Sequence, residues 1–188
     1  MRRRHQVLAA VSALGVALLA SACSSASGST HAAAGVVVAV GAENEYANVI
    51  GQVGGKYVQA SAIMSNPNTD PHTFEASASV ARTVSEAQLV VQNGVGYDGF
   101  MNTIENAAPN AARKVIVVQD LLGLPDSTPN PHLWYQPATM PRVAAAVAAQ
   151  LSRLRPADAA YFQANALAFS RSLAAWTDAL AACRAQPA

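Results

Sequence analysis

Residues 36–64 read VVVAVGAENEYANVIGQVGGKYVQASAIM, and the order of patterns in this stretch decides the fold. The run at 36–40 is continuous and largely β-branched, as in a strand buried on both faces, and Gly41 is expected to end it. Residues 43–53 then carry helical spacing, and 57–63 form a second apolar run. Outward from this unit the alternation continues, with strands predicted at 88–92 and 114–118 and helices near 76–87 and 97–107. A β-α-β-α order with such apolar strands predicts an α/β fold. Its core is a parallel four-stranded sheet with helices on both faces, joined by right-handed crossovers. In such sheets the loops beyond the C-terminal strand ends form the ligand crevice.

The second half differs in kind. Residues 141–154 are alanine-rich and helical, and after Arg155-Pro156 a longer helix is expected from near 157 to near 183. Its apolar residues Phe162, Ala166, Phe169, Leu173, Trp176 and Leu180 recur at spacings of four and three, which keeps them on one face. Such a stripe is a packing surface. With no strand after it, Phe169 and Trp176 are expected to leave an exposed apolar patch.

The chain has 188 residues, 52% hydrophobic and 12% charged, with a formal charge of +1. That composition fits a globular protein with a real core. Arg2, Arg3 and Arg4 supply a quarter of the twelve basic residues, and no basic stripe follows, so nucleic acid is not an expected partner. MRRRHQVLAAVSALGVALLASAC reads as an export signal over 1–22: a basic start, an apolar run at 7–20 and small residues before Cys23. The run is shorter than the roughly 20 residues a spanning helix needs. Cys23 sits as the acylated cysteine does at a lipoprotein processing site, and 23–35 reads as a Ser/Gly-rich tether. The predicted location is extracytoplasmic, held to the membrane by lipid. Cys183, the other cysteine, is then without a disulfide partner and reads as a small helix residue. The domains expected downstream are an α/β lobe at 36–155 and the long helix at 156–188.

Two of the four histidines stand in the same frame, Asp70-Pro71-His72 and Asn130-Pro131-His132, each with an aromatic two residues on. His72 follows the second predicted strand and His132 the fourth, so both lie in loops at one edge of a parallel sheet. Proline restricts the backbone before each imidazole. Imidazole is a common ligand for first-row transition metals, so His72 and His132 are the candidate metal ligands. His5 falls in the signal and His31 in the tether. Asp70, Glu43 and Glu45 lie at the same edge and could add an oxygen, but each has an ordinary role as a solvated or capping acid.

Other chemistry finds little support. The sequence has no H-E-x-x-H, G-x-S-x-G or P-loop, and no general base or nucleophile stands beside the two histidines, so an enzyme is not expected. Gly94, Gly96 and Gly99 satisfy G-x-G-x-x-G after a strand. No acidic residue closes a following strand at the required distance, and Gly94 reads as a tight turn with Tyr97 and Phe100 packing a helix face.

The segment NPNTDPHTFEASASVARTVSEAQLVVQNGVGYDGFMNTIE, with NPHLWYQPATMPRVAAAVAAQL and PADAAYFQAN after it, resembles the zinc/manganese-specific solute-binding proteins of bacterial ABC importers. The similarity runs over about 36–182, through a D-P-H-x-[FY]-E loop, an N-G-x-G segment and an [ND]-P-H-x-W loop. The resemblance implies an N-terminal lobe and a linker helix, with the metal held between two lobes. It also implies His72 and His132 as the ligands of the first lobe, Zn2+ or Mn2+ as the transported ion, and a membrane permease of an ABC importer as partner. On this reading the second lobe of the family is absent. No histidine occurs from 73 to 131, so no histidine-rich loop selects zinc over manganese. A surface-exposed lipoprotein adhesin is the alternative that the resemblance leaves open.

Overall fold

The computed structural model of the protein describes residues 35–66 and 68–185. The expected signal, Cys23, most of the tether and the side chain of His72 lie outside what is described. Strands β1 (Val37–Glu43), β2 (Val58–Met64), β3 (Leu89–Gln92) and β4 (Lys114–Val117) form one sheet in the order β2-β1-β3-β4. Every pairing is parallel, with Val40 opposite both Ser61 and Val90, and Val91 opposite Ile116. The helices are α1 (Asn44–Gly54), α2 (Ala78–Glu86), α3 (Gly99–Ala107), α4 (Val118–Leu122), α5 (Thr139–Leu154), α6 (Ala159–Ser172) and α7 (Ala174–Arg184).

Alternation along β1 divides the core. Val37 and Ala39 face a layer made by Tyr46, Val49, Ile50 and Val53 of α1, Val143, Val147 and Leu151 of α5, and Phe162 and Phe169 of α6. Val40 and Ala42 face the other layer, with Val84 of α2 and Met101 and Ile104 of α3. Burying each such side chain contributes about 1.5–3 kcal/mol, which makes these two layers the main source of stability. Arg155 closes the first layer at its far end. Its Nη1 donates to the Gly35 carbonyl at 2.6 Å, its Nε to Asp158 Oδ2 at 2.8 Å, and its guanidinium lies 4.6 Å from the Tyr57 ring centre.

Three elements depart from expectation. β1 does not end at Gly41 but runs to Glu43, where α1 begins directly. Gly41 makes this junction possible, because a Cβ there would lie 2.3 Å from the Ala47 nitrogen in the first turn of α1. The five-residue α4 follows β4 without a loop and ends at Gly123, whose φ of +68° is left-handed. The long helix is two helices. Leu173 separates them, and its N–H bonds to Ser170 O, three residues back, at 3.3 Å. Phe162, Ala166 and Phe169 are buried, so Phe169 is core rather than patch. α7 has no buried residue and Trp176 is 41% exposed. The stripe is continuous in sequence, but only Phe162, Ala166, Phe169 and the partly buried Leu173 pack against the core among the described residues.

Candidate metal centre

With the order β2-β1-β3-β4, the chain reverses its winding between β1 and β3, and the C-terminal ends of these strands are where a crevice is expected. A cavity of about 280 Å³ opens there. It is lined by Glu43 and Glu45 from the β1–α1 junction, Met64, Asn66 and Thr69 from the end of β2 and its loop, Tyr97 after β3, and His132, Trp134 and Tyr135 from the loop after α4. The two loops that carry the Pro-His motifs therefore share one cavity.

β4 is the edge strand, so the His132 loop must cross β3 to reach this place. Asn93, buried directly after β3, holds it there: its Nδ2 donates to the Pro131 carbonyl at 2.8 Å. Asn93 is itself fixed, since Tyr46 Oη donates to its Oδ1 at 2.6 Å and its own N–H is taken by Asp98. Burial, and after it the nearby Glu43, pushes the Tyr46 phenol upward, so it stays a donor.

At His132 the Asn130 side chain decides the tautomer. Asn130 Oδ1 accepts from the His132 backbone N–H at 3.0 Å and lies 2.9 Å from Nδ1 of the same ring. An oxygen that accepts the first bond can only accept the second, so Nδ1 carries the proton and Nε2 is the free lone pair. Nε2 has no hydrogen-bond partner among the described residues. Tyr97 and Trp134 stand edge-on to the ring, with centroids at 5.3 and 5.4 Å, and hold its orientation. An imidazole with Nδ1–H tied to an acceptor and Nε2 free is arranged as in metal sites.

His72 lies in a single 3-10 turn, Pro71–Thr73, where Thr73 N–H bonds to Asp70 O at 3.3 Å. Its backbone is thus on the loop expected. Among the described residues no group of three or more His, Cys, Asp or Glu side chains could hold a metal.

Sequence reasoning passed over Asn130 and Asn93, and it set Glu43 aside. The N-P-H frame was a usable signal for Asn130, because an Asn two residues before an imidazole can reach both its N–H and its ring. Tyr97 does not pack a helix face; it precedes α3 and meets His132 and Trp134. The glycine loop also has a purpose other than phosphate binding. Gly94, Val95 and Gly96 are all left-handed, with φ of +82°, +53° and +69°. The resulting backbone donors are already used: Asn93 and Gly94 N–H bond to Asp98, and Val95 N–H bonds to Gln119 Oε1.

Glu43 is the most perturbed acid here. It is 2% exposed, and burial, then Asp98, then Glu45, push its carboxyl up to about 9. Burial also raises Asp98, against the pull of the Gly94 and Asn93 N–H groups.

Comparison with known proteins agrees with this architecture. The manganese-binding lipoprotein MntA of Bacillus subtilis (strain 168) is 25% identical over 136 residues, covering 69% of this chain and 44% of MntA. The Mn-bound periplasmic metal binding protein of Candidatus Liberibacter asiaticus superposes with a TM-score of 0.64 at 19% identity, over 73% of this chain and 53% of that one. Zn(II)-bound AdcA from Streptococcus pneumoniae gives 0.64 at 18% identity, over 77% and 32%. The chain thus spans about half, or less, of the length of the relatives it matches. At these identities the solved structures speak for the fold. Residues 37–186 match the family described as "Zinc-uptake complex component A periplasmic", and the chain belongs to that family.

Proposed function

We propose that the chain captures a divalent transition metal, zinc or manganese, outside the cytoplasm and delivers it to the membrane permease of an ABC importer, with His72 and His132 as ligands. The observation that carries this reading is the cavity at the C-terminal strand edge. It is shared by both Pro-His loops, and Asn130 leaves Nε2 of His132 available. The names of the relatives point the same way, since one is a manganese-binding lipoprotein and another a Zn(II)-bound protein. Acylation at Cys23 would keep the chain at the membrane surface, near its permease. No helix among the described residues is long and apolar enough to cross a membrane.

Two imidazoles with water are a partial donor set. The affinity for zinc is therefore expected to fall well below the ~10–16 kcal/mol of complete structural zinc sites. Calorimetric titration of the chain with zinc tests the assignment. His72→Ala and His132→Ala should each remove most of the binding. If both variants bind as the parent does, the two motifs are loop architecture and this function is wrong.

A further inference from the structure

Glu43 ends the central strand β1 with its carboxyl inside the protein, and neither Oε1 nor Oε2 has a hydrogen-bond partner in any other described residue. A buried acid retained only for packing is expected to find an acceptor for its proton or a cation for its charge, because an unsatisfied buried polar group costs about 1–3 kcal/mol. The elements around Glu43 offer no such cation. Glu45 and Tyr46 face it from α1, Tyr97 and Asp98 from the loop after β3, and no lysine or arginine lines the cavity among the described residues. What the cavity does contain is His132 and the oxygen-bearing side chains of Asn66 and Thr69. This neighbourhood is negative and short of cations, with the buried Glu43 among its lining residues.

Building on the metal-capture reading above, we propose that Glu43 is an oxygen ligand of the captured metal, completing with the two histidines a mixed nitrogen–oxygen site within this lobe. The pairing has a consequence for specificity. Imidazole suits zinc, whereas carboxylate oxygen suits manganese, so a site with Glu43 accepts the harder ion that two imidazoles alone hold poorly.

The test is calorimetric titration of the chain with zinc and, separately, with manganese, comparing parent, Glu43→Gln, Glu43→Asp and His132→Ala. Even outer-shell partners of ligands change affinity by roughly 10–100-fold, so Glu43→Gln should weaken zinc by about tenfold or more and manganese by a larger factor. Glu43→Asp keeps the carboxylate but shortens its reach, and should fall between Gln and parent for manganese. The proposal is overturned if Glu43→Gln, with a parent-like far-UV spectrum, binds both metals as the parent does while His132→Ala loses them; metal capture by the histidines then stands without Glu43. A parent that binds neither ion removes the metal-capture reading itself, and Glu43 with it.

Discussion

Replacing Glu43 by glutamine should change how the stability of the metal-free protein responds to pH. The side chain is 2% exposed and its two oxygens are unpartnered, so the charged form is strongly disfavoured in the folded state. In the folded chain the carboxyl is pushed up to about 9, against an ordinary value of 4.5. Below the lower value both folded and unfolded chains hold the proton, and Glu43 adds no pH dependence. Between the two values the folded chain holds a proton that the unfolded chain has released, so stability falls as pH rises and levels off only above the upper value.

Each pH unit in this window is worth about 1.4 kcal/mol, so Glu43 alone should cost the fold on the order of 4 kcal/mol between pH 5 and pH 8. That is a large share of the 5–15 kcal/mol by which domains are usually stable. Glutamine is close in shape and does not titrate. Urea unfolding of chelator-treated protein, followed by tryptophan fluorescence at several pH values, should show parent stability dropping steeply over this range and Glu43→Gln dropping much less. Asp98 and Glu105 are raised in the same direction and tilt both curves alike, so the difference between curves isolates Glu43. Parallel curves for parent and variant would refute the reasoning.

Asn130→Ala removes the acceptor that holds Nδ1 of His132, and the loss of such a partner should weaken zinc binding by roughly 10–100-fold with an unchanged melting temperature; titration and a thermal melt measure the two together. Gly94→Ala places a methyl group at φ +82° and 2.7 Å from Cβ and Oε1 of Gln119, which should destabilise the fold by roughly 1–3 kcal/mol in a denaturant titration. Cys23→Ser should release the exported chain from the membrane fraction, and retention after high-salt washing would show that something other than acyl chains holds it.

The parts of the fold that were legible are those in which one local signal dominates. The strands announce themselves through unbroken runs such as 36–40 and 88–92, because a strand covered on both faces has no polar side to interrupt it. Where two signals compete, pattern and structure part. Glu43 reads as a capping acid at the start of a helical stretch, yet β1 continues through Ala42 to reach it. The break at Leu173 was hidden because periodicity records which face is apolar, not whether anything covers that face. α4 was missed since five residues carry too little period to be seen.

The same distinction governs the site. Two histidines in one frame, each after a strand, are visible because proline and histidine are chemically loud residues. What brings the His132 loop to the cavity is not, because it is a set of contacts distant in sequence. Tyr46 on α1 orders Asn93 after β3, and Asn93 holds Pro131 across 38 positions. These residues are buried asparagine, tyrosine and backbone, which a sequence offers no reason to connect. The consequence is that the cavity edge depends on the central strands rather than on β4, from which the loop departs. β1 supplies Glu43, the end of β3 supplies Asn93 and Tyr97, and the reversal of winding between those two strands leaves room for all of them at one point. A substitution that loosens β4 should therefore disturb His132 less than one that empties the Asn93 position, even though β4 is closer to His132 in the chain.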